Sequence, residues 1–141
     1  MANLTMGGKS DIEIVALTAK LMARMKYDLE SAREYFRDVV LVENQTWVYE
    51  LDGIPVGFLC VQGEYIDRLY VDPAYHRQGI GRALLKKARS LSPRHLWLYT
   101  HVANKMARAF YERFGFVAEK FGSSRPPESE PDVEYHWRLH D

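Results

Sequence analysis

Between Leu69 and Leu85 the chain reads Leu-Tyr-Val-Asp-Pro-Ala-Tyr-His-Arg-Gln-Gly-Ile-Gly-Arg-Ala-Leu-Leu, and few folds accommodate such a run. A β-rich stretch is stopped by Asp72-Pro73, a turn is punctuated by Gly79 and Gly81, and an amphipathic helix follows at once with Ile80, Leu84, Leu85, Ala88 and Leu91 as its apolar stripe. A helix that opens this way leaves several backbone N–H groups unpaired at the positive end of its dipole. Such an end binds phosphate groups. Gly79 and Gly81 let a ligand approach the main chain without Cβ interference, and Arg77 and Arg82 can add charge-assisted contacts. The same glycines also serve a tight strand-to-helix turn with no ligand at all, so both readings stand on spacing alone. A dinucleotide fold would want a small residue where Leu84 sits, and a Walker loop would want Gly-Lys-Ser/Thr. Neither pattern is present.

The rest of the chain orders itself around that turn. Met1 to Ser10 has no clear period and is expected to be a flexible lead-in, with residues 11–141 forming one domain. Asp11 caps a helical pattern that runs to about Met25, and a second helix follows Asp28 with Leu29, Ala32, Tyr35, Phe36 and Val39 on one side. Thr46 to Leu51, the Asp52-Gly53 turn and Ile54 to Val61 read as a hairpin. A third strand, Tyr65 to Val71, completes a meander. Its apolar phase slips between Ile66 and Leu69, which is what a β-bulge produces. After the glycine turn and its helix, His95 to His101 reads as a strand buried on both faces. Asn104 caps a helix whose inner face is Ala107, Phe110, Tyr111 and Phe114, and Gly115 stops it. Phe116 to Phe121 and Val133 to Leu139 are the last two strands, joined by a proline-rich acidic linker, Gly122 to Asp132.

Composition narrows the partners. Of 141 residues, 19 are Lys or Arg and 19 are Asp or Glu, so the broad positive field that accompanies nucleic-acid binding is missing. Nucleic acid is not an expected partner. Neither a run able to span a bilayer nor a signal peptide is found, and Cys60, alone in an apolar run, cannot form an internal disulfide. A cytoplasmic protein without a membrane partner is expected. His95, His101, His136 and His140 lack a compact ligand spacing, so no metal is expected, and His136 with His140 is placed on one solvated or half-buried strand face.

A second motif gives the turn its meaning. Asn104-Lys-Met-Ala-Arg-Ala-Phe-Tyr-Glu-Arg-Phe-Gly-Phe116, following the glycine turn at this separation, resembles the GNAT superfamily of acyl-CoA N-acyltransferases over roughly Trp47 to Leu139. In that family a Gln or Arg, two variable residues, Gly, one variable residue and Gly or Ala open the third helix. Gly79 and Gly81 fill the glycine positions here, whereas His76 departs from the leading Gln or Arg. The resemblance implies an α/β (α+β) fold with a mixed, mostly antiparallel sheet of six or seven strands and about four helices. It implies acetyl-CoA as co-substrate, held by Leu69, Tyr70, Val71, Arg77, Gln78, Gly79, Ile80, Gly81, Arg82, Asn104 and Tyr111.

The same resemblance sets out a mechanism. An amine attacks the thioester directly in a ternary complex, a backbone N–H near Leu69 or Tyr70 receives the oxyanion, and Tyr111 stabilises the departing sulfur. A primary alkylamine with pKa of about 10.4 is mostly protonated at neutral pH, and its reactive form lies roughly 4 to 5 kcal/mol higher. A base is therefore needed. The position of the family's usual Glu is Tyr65 here, and Asp67 is offered as the base, directly or through water. The acceptor is a primary amine of a small molecule or peptide, drawn in by the acidic linker if it is cationic. A noncatalytic acyl-CoA-binding module or an interaction domain on the same scaffold is the alternative. An open sheet edge would let a second copy pair into a homodimer.

Overall fold

The computed structural model describes residues 2–5, 45–124, 126 and 129–140. The two helices expected from Asp11 to Met25 and after Asp28 lie outside these residues. The described chain forms one seven-stranded sheet: β1 (Ala2–Thr5), β2 (Gln45–Leu51), β3 (Ile54–Gln62), β4 (Tyr65–Val71), β5 (His95–His101), β6 (Val117–Ser123) and β7 (Pro131–Arg138). Their spatial order is β1-β2-β3-β4-β5-β7-β6. Helix α1 (Ile80–Leu91) connects β4 to β5, and α2 (Lys105–Arg113) connects β5 to β6.

The segment expected to be a flexible lead-in supplies the edge strand β1, antiparallel to β2 with Ala2 opposite Leu51 and Thr5 opposite Val48. Four residues carry too little apolar pattern to announce a strand, and main-chain pairing with an existing edge decides instead. The hairpin and meander follow the expected order. At the β3–β4 pairing Cys60 lies opposite Arg68 and Val61 opposite Ile66, so Asp67 is the extra residue of a β-bulge. That bulge is the source of the phase slip in the sequence.

All neighbouring strands are antiparallel except β4 and β5. One face of the sheet carries Val56, Leu59, Val61, Ile66, Leu96, Leu98, Val133 and Tyr135, which pack under Ile80, Leu84, Leu85 and Ala88 of α1 and Tyr111 of α2. Leu91, expected in the stripe of α1, lies at the end of the helix and is 38% exposed. On β5 the burial is one-sided: Leu96 and Leu98 are buried, while Tyr99 on the other face is 48% exposed. The two-sided strand of the sequence reading is thus corrected, since aromatic residues at alternate positions mimic an apolar run without being fully covered.

Side-chain contacts fix the helices on the sheet. Lys87 lies over the Trp47 ring at 3.7 Å from its centroid, and Arg89 donates to the Phe114 carbonyl and covers Trp137 at 4.6 Å. From β7, the Tyr135 hydroxyl donates to Glu112 and accepts from Arg108 Nε at 2.9 Å, tying α2 down. Under β2, Cys60 is fully buried and its thiol lies 3.5 Å from Thr46 Oγ1. Burial pushes that thiol up to about 12, in keeping with a packing role.

Gly57 marks the closest main-chain approach in the sheet. A Cβ there would stand 2.8 Å from the Tyr70 carbonyl oxygen, whereas one at Gly53 in the hairpin turn, at φ +80°, would meet nothing within 4 Å. Gly57→Ala should therefore cost about 3 kcal/mol and Gly53→Ala about 1 kcal/mol. At roughly 3 °C per kcal/mol, thermal melting should separate the two variants by about 6 °C.

Candidate active site

The parallel pair β4–β5 is joined at a single register position, Tyr65 opposite Trp97, reinforced by the Trp97 N–H donating to the Glu64 carbonyl at 3.0 Å. Beyond it the two strands part. Meanwhile β4 stays paired to β3 as far as Val71, and β5 stays paired to β7 as far as His101. Six further residues at about 3.3 Å each make a wedge with a side of about 20 Å, and α1 and α2 begin at its open end. Where those helices converge, a Cβ on Gly81 would stand 3.1 Å from Cε1 of the Phe110 ring.

The wall formed by β4 has a definite polarity. Asp72 N–H donates to the Val56 carbonyl at 2.8 Å, so Val71 and Gly57 form a non-hydrogen-bonded pair, and the alternation makes Leu69 and Leu59 another. The Leu69 N–H and the Val71 carbonyl therefore point toward the wedge. Of the two amides expected to serve an oxyanion, that of Leu69 faces the opening and that of Tyr70 faces β3. The Val71 carbonyl meets the His76 ring, with Nε2 at 2.9 Å. His76, the departure from the family's Gln or Arg, thus braces the loop. Asp72 braces it from the other side, its carboxylate accepting from Ala74 N–H at 3.0 Å.

The glycine turn leaves its amides open. Gly79, at φ +80°, is the N-cap of α1 and provides no side-chain hydrogen bond, and the first turn of α1 holds no acidic residue. Ala83 N–H to Gly79 C=O, at 3.0 Å, is the first bond of the helix. Among the described residues, the N–H groups of Gln78, Gly79, Ile80, Gly81 and Arg82 find no main-chain acceptor. Arg77, Gln78 and Arg82 are exposed beside them, and Arg77 holds a left-handed φ of 63°. Non-glycine residues in this conformation carry strain of order 1 kcal/mol, and such strain collects at ligand-binding turns. By contrast α2 is capped from within, the Asn104 side chain accepting from Ala107 N–H at 3.1 Å. The Asn104 oxygen is thus engaged with its own helix.

Tyr111 lies on the inner face of α2, 7% exposed, with Phe110, Phe116 and Tyr135 around it at centroid distances of 5.2, 5.4 and 6.4 Å. Burial holds its phenol well above the ordinary tyrosine value. Tyr65 sits at the vertex of the wedge, 4.5 Å from the Trp97 ring and 6.2 Å from Tyr99. Asp67, set apart by the bulge, has Arg68 Nε at 3.7 Å. Of the sequence-derived residues, Leu69 and Val71 turn main-chain groups toward the opening from β4 and the loop from Arg77 to Arg82 lies at its mouth, while Tyr111 is packed in the core against Phe110, Phe116 and Tyr135.

One group went unrecognised in the sequence. His95, His136, Glu134, Glu64 and Tyr99 gather on the sheet face away from α1 and α2, because β7 inserts between β5 and β6. Only that pairing brings the two histidines together, and local spacing does not reveal it. His140, expected to share a strand face with His136, lies beyond the end of β7. The only readable cue was the alternation of polar residues at Asp132, Glu134, His136 and Arg138.

Because the folded phenol of Tyr111 keeps its proton to a higher pH than the unfolded one, its stabilising contribution is complete below about pH 10 and is lost as pH rises above that value. Melting temperatures measured from pH 8 to 11 should fall at the alkaline end, and Tyr111→Phe should flatten the fall.

Three comparisons bear on this arrangement. The peptidyl-lysine N-acetyltransferase YiaC of Escherichia coli K12 is 37% identical over 81 residues, 57% of this chain and 55% of its own length. The ribosomal-protein-S18-alanine N-acetyltransferase of Escherichia coli has the same fold, with a TM-score of 0.70 and 18% identity over 100% of this chain and 96% of its own. A protein from Bacillus anthracis str. Ames, solved in complex with acetyl coenzyme A, aligns over 70% of this chain and 64% of its own with a TM-score of 0.61 and 22% identity. The chain spans about half the length of the first curated relatives it matches. Residues 43–118 match the model of the acetyltransferase (GNAT) domain, a stretch that runs from β2 through the wedge and both helices to the start of β6. With both motifs at the mouth of a parted β4–β5 pair, the chain belongs to the GNAT acetyltransferase family.

Proposed function

We propose that this chain is an N-acetyltransferase that moves an acetyl group from acetyl-CoA to a primary amine by direct attack within a ternary complex. The observation that carries this reading is the uncapped start of α1, five amides without a main-chain acceptor, at the open end of the β4–β5 wedge. A pyrophosphate satisfies those amides and the helix dipole together. Gln78, Gly79, Ile80, Gly81 and Arg82 hold it through the main chain, and Arg77 and Arg82 add charge. The pantetheine arm then lies between β4 and β5 as the ladder partner that β4 lacks, along Leu69 and Val71, with Tyr70 on the far face and Asn104 at the mouth of the wedge. The acetyl-CoA complex of the Bacillus anthracis neighbour supports this co-substrate.

At the reacting centre the Leu69 N–H receives the developing oxyanion. Tyr111 donates a hydrogen bond to the departing sulfur. With its phenol held high by burial, it acts as a neutral donor, and full transfer of its proton to a thiolate is uphill. Tyr65 closes the vertex, and Asp67 stands near enough on β4 to take the amine's proton directly or through water. The relative named for peptidyl-lysine acetylation supports an amine on a flexible aliphatic chain, whether on a peptide or a small molecule. The balanced charge and single cysteine support a cytoplasmic setting without nucleic-acid partners, and no described helix is long and apolar enough to cross a membrane. A homodimer would form through one of the open sheet edges, β1 or β6.

Thiol release from acetyl-CoA across a panel of amines and lysine peptides tests the reading. Tyr111→Phe should lower kcat about a hundredfold and leave the acetyl-CoA Kd within a factor of two. Tight coenzyme binding with no thiol release from any amine would instead make the chain a noncatalytic binding module. Replacing Arg77 and Arg82 together by Ala should raise the acetyl-CoA Kd about tenfold at low salt, less as salt is added.

A further inference from the structure

Acetylation of an alkylamine must dispose of a proton, and the wedge has a polar string at its side. In register, β5 and β7 set Tyr99 opposite Glu134 and Trp97 opposite His136 on the face away from the helices. The Tyr99 hydroxyl is hydrogen-bonded to Glu134. Glu134 Oε2 lies 2.7 Å from His136 Nε2, His136 Nδ1 lies 2.8 Å from His95 Nε2, and His95 Nδ1 lies 3.2 Å from Glu64 Oε1. Five side chains are thus joined end to end. Tyr99 stands on β5 past the last position where β4 and β5 pair, and its half-exposed ring lies 6.2 Å from that of Tyr65 at the vertex.

Burial along the string is uneven in an informative way. The side chains of Glu134, His136 and His95 are 17%, 12% and 25% exposed, while Glu64 at the far end is 54% exposed and Tyr99 at the near end 48%. Both ends are wet and the middle is shielded. Trp97 shields it, its ring parallel to that of His136 at 6.0 Å, and the two imidazoles stack at 5.1 Å. Surface ion pairs contribute little to stability, so a shielded row of four such groups is an unusual investment for a strand pair already held by its ladder.

We propose that Tyr99, Glu134, His136, His95 and Glu64 form an outlet for the proton of the acceptor amine, leading from the β4–β5 opening to bulk water. This rests on the acetyl-transfer reading and adds a route to it, separate from Asp67. The ammonium N–H bond breaks as the proton moves to the Tyr99 oxygen, whose own proton passes to Glu134 and on to the imidazole pair. An imidazole N–H bond has then formed, the amine is neutral, and the pair carries the positive charge. One proton per turnover leaves from His95 through Glu64 to water, returning the pair to neutrality. Filling every contact takes three protons among the four ring nitrogens, because carboxylates only accept and Arg138 Nη2, 3.3 Å from His136 Nδ1, only donates. That three-proton arrangement is the stage at which the pair holds the proton taken from the amine.

Other charges face the string. Arg138 is bonded to Glu119 of β6, Lys120 of β6 acts on Glu134, and Tyr65 packs against Trp97 and Tyr99 from β4. Tyr99 is the member placed to touch the amine, and the histidines and Glu64 act through Glu134 as positioning and relay groups.

The test compares primary alkylamines, from butylamine to a lysine-containing peptide, with their aminooxy counterparts, which are neutral throughout the range assayed. Thiol release is followed from pH 6 to 10 for the wild-type chain, Glu134→Gln and His136→Asn. Both variants should lose at least tenfold in kcat/KM with the alkylamines near pH 7, with the loss shrinking toward pH 10 as the amine sheds its proton unaided. With the aminooxy acceptors they should stay within twofold of wild type, and acetyl-CoA binding by calorimetry should be unchanged. An equal loss with both acceptor series, or none with either, overturns the outlet while leaving acetyl transfer standing. If Glu134→Gln fails to bind acetyl-CoA, His136→Asn decides alone. A wild-type chain that binds acetyl-CoA yet releases no thiol with any acceptor overturns acetyl transfer and the outlet together.

Discussion

The architecture turns on one pair of residues. Tyr65 and Trp97 hold β4 and β5 together at a single position, and everything beyond them depends on the strands parting there. A sheet that splits leaves edge amides and carbonyls exposed on both lips, and unpaired backbone groups shielded from water cost free energy. The cost is tolerable when something else fills the gap. On β5 the inner lip is backed by an unbroken pairing with β7, and on β4 by pairing with β3, so each half of the sheet stays rigid while the space between them stays open. The aromatic contact at the vertex, with ring centroids 4.5 Å apart, keeps the split from spreading in the other direction.

The two helices at the mouth are finished differently, and the difference has a physical meaning. Asn104 caps α2, which gains about 1 kcal/mol relative to an uncapped start. α1 forgoes that gain: its first residue follows a left-handed glycine, its first turn has no acid, and Arg77 just before it is held in a strained conformation. Two helices of one small protein, equally able to take a polar cap, have been given opposite ends. The one left bare is the one that opens from the glycine turn.

Much of this was legible in the sequence, and the reasons are local. The Asp52-Gly53 hairpin, the glycine turn into α1, the Asn104 cap and the strand His95 to His101 each rest on a few adjacent residues whose chemistry permits little else. Even the bulge at Asp67 left a trace, since one added residue reverses which side chains face the core. Features set by long-range pairing left none. β1 exists because β2 offers an edge, Tyr99 is open because the far face of β5 is only partly covered, and the histidines meet because β7 lies between β5 and β6. His76 belongs to both groups: its place in the motif was readable, but its turn toward the Val71 carbonyl depends on how the loop folds back.

The contact between Gly81 and the Phe110 ring shows which dimensions of the opening can change. Along β4 the lip is main chain, and no substitution moves it far. At the convergence of the helices the limiting atom belongs to a side chain, 3.1 Å from where a methyl on Gly81 would stand. Related chains can therefore vary the aperture by exchanging one ring for a smaller residue while the rail beneath it stays the same. Breadth at the entrance and reach along the floor become separately adjustable properties of one scaffold.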